Sequence, residues 1–233
     1  MTVSLHFVCY LLECPSIEKE ILLYQLNRTE AQMSERKRDL KMAPKMALDF
    51  DEVCVQSHAF ISRLCFERHG VYIPAHVYRY PDWEKPPITE EEHRNIVFHH
   101  RTPPLEWAEK IELMPGALEG IDTLLACGVD IEILTARGLH EGEIETVTHV
   151  LEKYGIPLPV VGTAYRAKVN FLDGHRVVLD DQIHELEPMP EDVHRLLFSR
   201  PQNTSVWQDP KKGIVPVRDW PHAVETIKEL LNL

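Results

Sequence analysis

From Pro44 onward, short apolar runs alternate with apolar residues at helical spacing, and many of the changes of period fall at glycines. Met46-Ala47-Leu48 is a short continuous run of the kind that forms a strand buried on both faces. Phe60, Ile61, Leu64 and Cys65 then recur at the spacing of one helix face. A second cycle opens at Pro115-Gly116, where Leu118, Ile121, Leu124 and Leu125 form a stripe that stops at Gly128. The strand Val129 to Leu134 follows at once. Ile144, Val147, Val150, Leu151 and Tyr154 make another helix face closing at Gly155, and Pro159 to Gly162 another strand. Val177-Val178-Leu179 and Leu196-Leu197-Phe198 supply two more. Parallel strands need a crossover connection, commonly a helix, so this alternation predicts an α/β fold: a parallel sheet covered by helices on both faces. In such a sheet, ligands bind at the carboxyl ends of the strands.

Two stretches depart from the rhythm. Residues 1–43 carry an apolar start, an amphipathic Ile21 to Leu26 and the charged run Ser34-Glu35-Arg36-Lys37-Arg38-Asp39. They read as an N-terminal extension, either a packing or partner-binding helix or a product of start-codon choice at Met33, Met42 or Met46. Residues 68–113 are rich in proline, aromatics and charge, with Tyr78-Arg79-Tyr80-Pro81-Asp82-Trp83 and Pro103-Pro104-Leu105-Glu106-Trp107, and read as an inserted cap. Its Tyr78, Tyr80, Trp83 and Trp107 either fill a small core or stack on a substrate base. A chain of 233 residues, 44% hydrophobic, supports one ordinary core and a small module. The core domain is therefore expected over 44–67 and 114–233.

With 25 Lys and Arg against 37 Asp and Glu, the net charge of -12 argues against an extended nucleic-acid surface. Cys9, Cys14, Cys54, Cys65 and Cys127 show no CxxC spacing and read as reduced thiols of a cytoplasmic protein. The apolar Val3 to Leu12 lacks a basic flank and a cleavage site, so neither a signal peptide nor a membrane span is expected. The 13 histidines, His99-His100 included, lack metal-ligand spacing and read as surface or polar-lid residues.

The polar residues just after the strands are Asp49 and Asp51, then Thr135 with Arg137, then Lys168, then Asp180 and Asp181. A carboxylate attacking a phosphate ester is repelled by its charge, so the chemistry needs a divalent cation and fixed positive groups. Magnesium prefers oxygen ligands and keeps several waters, so two or three carboxylates from adjacent strand ends suffice to hold it. Asp49 and Asp180 are the first choices as ligands, with the Asp51 carbonyl a third and Asp181 acting through water. A carboxylate two residues beyond the nucleophile, as Asp51 is from Asp49, can protonate the leaving oxygen and later activate water. Lys168 is expected at the phosphate, with Arg166 the competing cation. Thr135 can donate to phosphate, cap the following helix, or both.

Asp49-Phe50-Asp51-Glu52-Val53 after an apolar strand resembles motif I of the haloacid dehalogenase-like phosphatases. Ile133-Leu134-Thr135 resembles motif II, Lys168 motif III, and Val178-Leu179-Asp180-Asp181 motif IV. All four stand in order at strand ends, and an insertion after motif I matches that family's cap. The resemblance covers about Pro44 to Leu233 and implies a Rossmann-like sheet with a small, mainly helical cap. It also implies a magnesium-dependent phosphomonoester hydrolase working through a phospho-Asp49 intermediate, Asp51 being the acid and base. Phosphate would be held by Glu52, through its backbone N–H, and by Thr135, Ala136, Arg137 and Lys168. Leu197-Phe198-Ser199-Arg200-Pro201-Gln202-Asn203 and Val217-Arg218-Asp219-Trp220 resemble the tail of the 5'(3')-deoxyribonucleotidase branch. The implied substrate is a small phosphorylated metabolite, with a nucleoside monophosphate as the specific case; a homodimer is compatible with this reading. Glu52 stands where many of these phosphatases carry Gly; it leaves its N–H available with the side chain turned to solvent provided that the turn needs no positive φ. A catalytically idle binding protein and a polynucleotide-end phosphatase are the competing functions.

Overall fold

The computed structural model describes residues 43–74, 87–101, 108–207, 211 and 213–233. Residues 1–42, with Cys9 and Cys14, and the cap aromatics Tyr78, Tyr80, Trp83 and Trp107 lie outside the described residues, as do the side chains of His99 and His100. Contacts divide the chain into Met1–Ala43 and Pro44–Leu233, and the second unit carries the sheet.

Six parallel strands form that sheet: β1 (Lys45–Leu48), β2 (Asp130–Thr135), β3 (Val160–Gly162), β4 (His175–Asp180), β5 (His194–Phe198) and β6 (Ile214–Val217). Their order is β3-β2-β1-β4-β5-β6. Met46 is in register with Ile131 and Val177, and Leu48 with Ile133 and Leu179. Alternation at each strand explains the continuous apolar runs. Met46, Leu48, Ile133, Val177, Leu179, Leu196 and Phe198 enter one cluster, whereas Ala47, Leu134, Val178 and Leu197 enter a smaller one.

Phe60 and Leu64 of helix α1 (Ser57–His69) join the larger cluster. After α2 (Glu90–Arg101), so do Ile121 and Leu124 of α3 (Ala117–Ala126) and Val147 and Val150 of α4 (Glu143–Lys153). On the other face, Leu186 of the one-turn helix α5 (Ile183–Leu186) packs with Met189 in the smaller cluster. The buried face of α3 is Ala117, Gly120, Ile121 and Leu124, while Leu125, expected inside, is exposed. The cause is Trp220, which lies so close that a Cβ at Gly120 would stand 2.4 Å from its ring.

Strand β6 and helix α6 (Trp220–Leu231) escaped the sequence reading. Pro216 interrupts the apolar run, and it is tolerated because, among the described residues, β6 is an edge strand that pairs with β5 alone. Asp219 caps α6 by accepting from the His222 amide at 2.9 Å. Buried Trp220 donates its indole N–H to the Val53 carbonyl at 2.9 Å, tying α6 to the turn that follows β1.

The inserted segment leaves through α1, which runs on to His69 and closes at Gly70 in the left-handed region, φ 67. Thr89 and Glu92 form a capping box at the start of α2: the Thr89 hydroxyl accepts from the Glu92 amide, and the Glu92 carboxylate from the Thr89 amide. Ile73, Ile88, Ile96, Ala108 and Ile111 of this segment belong to the larger cluster. The chain returns beside the end of the β1 turn, where the Gln56 amide donates to Glu112 and the Met114 amide to Cys54. His93, within the expected lid segment, is buried; so is His175, contrary to the expectation of surface or lid histidines, and it opens β4 with its Nε2 2.8 Å from Glu132. Cys54, Cys65 and Cys127 are free thiols. Among the described residues, no helix is long and apolar enough to cross a membrane.

Candidate active site

The strand order reverses between β1 and β4, since β2 and β3 lie to one side of β1 and β4 to β6 to the other. Such a reversal leaves a crevice at the carboxyl ends. Asp49 follows β1, its amide bonded to the Leu179 carbonyl at 2.9 Å, and Asp180 ends β4. Lys168 reaches between them from the 3-10 turn Lys168–Phe171, its Nζ 2.7 Å from Asp49 Oδ1 and 2.6 Å from Asp180 Oδ2. All three are buried. Burial alone would lower the Lys168 pKa, but Asp180 and Asp49 outweigh it and leave the ammonium above its ordinary value.

Carboxylate oxygens of Asp49, Asp180 and Asp181 lie within 4.8 Å of one another. Asp180 Oδ1 accepts from the Gln182 amide at 2.7 Å, so both its oxygens are engaged. Asp181 Oδ2 accepts from Gln182 and Gln202 at 2.8 and 3.0 Å, whereas its buried Oδ1 has no partner. Burial, with Asp180 and Asp49, raises the Asp181 carboxyl well above its ordinary value. Asp49 is raised to about 8: burial pushes it up, Lys168 opposes, and Asp180 and Asp51 add to the rise. Three buried carboxylates answered by one ammonium, with an orphaned oxygen among them, fit a hard divalent cation bound through oxygen.

The side chain of Asp51 is directed elsewhere. Its two oxygens accept from Arg137, Nε to Oδ2 at 2.8 Å and Nη2 to Oδ1 at 2.6 Å, and Ser57 Oγ also donates to Oδ1. Arg137, expected at the phosphate, thus spends two donors on Asp51, with its Cζ 5.3 Å from the centre of the Phe50 ring. Thr135 does not cap a helix, because the N-cap of α4 is Gly142, and its buried hydroxyl has no partner. Ala136 lies between the two in the turn after β2. Arg166 is absent from the crevice cluster: its guanidinium lies over the Tyr165 ring at 5.4 Å and its amide donates to Glu185 at 2.7 Å.

Glu52 corrects the sequence reading on two counts. Its φ is 59, so the turn does require the left-handed region, and its side chain is buried instead of turning to solvent. The carboxylate stays inside because it pairs with Arg200 and accepts from the His58 amide at 2.7 Å. Its own amide, expected at the phosphate, donates to the Val55 carbonyl at 2.9 Å. Sequence reasoning also gave no role to Ser57, Gln182, Arg200, Gln202 or Asn203. Asn203 joins the ends of β4 and β5 by donating to Asp181 O at 2.9 Å and Phe198 O at 2.8 Å. The quoted tail 197–203 was the only signal for the last three.

No family model and no curated protein matches the sequence. Solved structures do resemble it. A haloacid dehalogenase-like family hydrolase from Streptococcus pneumoniae matches with TM-score 0.56 at 13% identity, over 79% of this chain and 98% of its own. A haloacid dehalogenase-like family hydrolase from Deinococcus radiodurans, solved with bound phosphate and sodium, matches with TM-score 0.53 at 13% identity, over 82% and 97%. A hydrolase from Pseudomonas syringae gives TM-score 0.51 at 12% identity, over 80% and 98%. With the six-stranded order and the crevice between β1 and β4, these likenesses establish that the chain has the haloacid dehalogenase-like fold.

Proposed function

We propose that the protein is a magnesium-dependent phosphomonoester hydrolase with Asp49 as nucleophile and Asp51 as general acid and base. The observation that carries this reading is the buried Asp49–Lys168–Asp180 bridge at the fold's crevice, next to the unpartnered oxygens of Asp181 and Thr135. Asp49, Asp180 and Asp181 would hold the cation, which when bound neutralises phosphoryl charge. Lys168 opposes the rise in the Asp49 pKa, so that together with a bound cation it would leave the nucleophile ionised for attack, and it supplies positive charge to the phosphoryl oxygens. Thr135 Oγ1 donates to one of those oxygens, and Ala136 belongs to the same phosphate-binding turn. Asp51 exchanges a proton with the leaving oxygen and then with water.

A small phosphorylated metabolite, with a nucleoside monophosphate as the specific case, is the proposed substrate; the tail residues Gln202 and Asn203 hold Asp181 and do not themselves select it. The inserted segment 68–113 is proposed as the cap over the crevice. A second reading, a phosphometabolite-binding protein without turnover, is favoured by one feature: the Glu52 amide is occupied by Val55. One experiment decides between them. Turnover of p-nitrophenyl phosphate that needs magnesium and disappears in Asp49→Asn supports the enzyme, as does an acid-stable, hydroxylamine-labile phosphoprotein trapped from the parent. Phosphate binding without turnover in the presence of magnesium supports the second reading and sinks the first.

A further inference from the structure

Arg137 closes the segment Thr135-Ala136-Arg137 at the tip of β2, where the sequence pattern puts phosphate donors. Yet its guanidinium, only 1% exposed, forks onto both oxygens of Asp51. A planar fork fixes two atoms at once and so fixes the torsion of the carboxylate, which a point charge does not. Phe50 beneath the guanidinium limits where that fork can lie.

We propose that Arg137 is a positioning residue for Asp51: it aims the proton-exchanging carboxyl at the leaving oxygen and does not contact the transferred phosphoryl group. This rests on the reading of Asp49 and Asp51 given above. In that reaction an Asp49 oxygen bonds to phosphorus as the ester P–O bond breaks. The bonding pair leaves on the ester oxygen, which takes the proton of the Asp51 carboxyl. Water then bonds to phosphorus and gives a proton back to Asp51, while Asp49 departs with its electron pair as carboxylate. Arg137 touches no atom of the phosphoryl group, the leaving group or the water, and its effect passes through Asp51, whose direction it sets.

Leaving-group dependence separates aiming from phosphate binding. Proton transfer is worth roughly 10²–10⁴-fold for a poor leaving group and far less for p-nitrophenolate, which departs as a stable anion. Arg137→Lys is expected to lower kcat on glycerol phosphate about tenfold or more beyond its loss on p-nitrophenyl phosphate. KM and inhibition by inorganic phosphate should stay within about twofold, and in an Asp51→Asn background the same change should add nothing further. Equal losses on both substrates with weakened phosphate inhibition, or full additivity with Asp51→Asn, overturn the proposal. Arg137→Gln, shorter and uncharged, is read the same way if the lysine variant does not fold. Asp51→Asn alone tests the underlying reading. If it lacks leaving-group dependence, Asp51 is not the acid; if it shows the dependence and the Arg137 variants do not, only the Arg137 role fails.

Discussion

Metal-free protein should lose stability as pH rises across neutrality, and magnesium should abolish that loss. The cause is the cluster of Asp49, Asp180 and Asp181, whose oxygens lie within 4.8 Å. Two unit charges at that distance repel by about 3.5 kcal/mol at an effective dielectric of 20, and one ammonium cannot answer three carboxylates. Burial raises the Asp49 carboxyl, Lys168 opposes it, Asp180 and Asp51 add to it, and it settles at about 8 against an ordinary 3.8. The native state therefore binds a proton that the unfolded chain has released. This stabilisation is complete below about pH 4 and is lost as pH rises through about 8. Within that window one carboxyl changes stability by about 1.4 kcal/mol per pH unit, or roughly 3–5 °C in Tm for a domain of this size. Magnesium needs ionised ligands, so its stabilising effect should grow with pH. Melting curves in EDTA and in excess magnesium, taken between about pH 5 and pH 8, measure both effects. Asp49→Asn has no such proton to gain and controls for the histidines. Equal slopes for parent and Asp49→Asn in EDTA, or a magnesium gain independent of pH, would refute the reasoning.

Asp49→Asn should also cost about 10⁴-fold or more in turnover while melting as a folded protein, since an amide of similar shape is a poor nucleophile; residual activity within tenfold of the parent excludes covalent catalysis. Lys168→Ala should cost about a hundredfold or more in kcat/KM, with Lys168→Arg recovering part of it, and Arg166→Ala should be nearly silent because that guanidinium lies over Tyr165; steady-state kinetics showing the reverse order moves the phosphate cation to Arg166. Glu52→Gln strips Arg200 of its ion-pair partner and should destabilise by about 1–3 kcal/mol in denaturant titration, Arg200 being partly exposed; an unchanged midpoint means that solvent replaces the pair. Gly120→Ala drives a Cβ into the Trp220 ring and should cost about 1–3 kcal/mol by the same assay, whereas a helix-stabilising gain would show that the ring can move.

Five strands and three helices were legible because each carried its own periodicity. Met46-Ala47-Leu48 and Val177-Val178-Leu179 belong to strands buried on both faces, and Gly128 and Gly155 adopt the left-handed conformation expected where a helix stops. What was missed depends on partners distant in sequence. Strand β6 hides behind Pro216, which only its edge position makes tolerable. The inward face of α3 is set by Trp220, a hundred residues beyond Gly120, so the inward Gly and Ala carry no apolar signal. In the crevice the same division holds. Lys168 was identified from its order in the chain and does meet Asp49, whereas the target of Arg137 is a pairing of β2's tip with β1's turn that spacing does not encode.

Glu52 shows how such pairings allow a local rule to be broken. A residue other than glycine at φ 59 carries a conformational cost of about 1 kcal/mol, and burying its carboxylate near Asp181 adds electrostatic cost. Both costs require compensation from outside the turn. Arg200 supplies the counter-charge from the end of β5, the His58 amide supplies a hydrogen bond from the start of α1, and Trp220 holds the neighbouring Val53 carbonyl. The His58 contact is local, but those of Arg200 and Trp220 come from distant segments, so the shape of the turn carrying Asp49 and Asp51 depends on the docking of β5 and α6. A glycine would relieve the backbone and leave Arg200 without its partner. The charge on Glu52 is thus bound to the geometry of the nucleophile's turn, and a change there is expected to register in stability before it registers in the chemistry of Asp49.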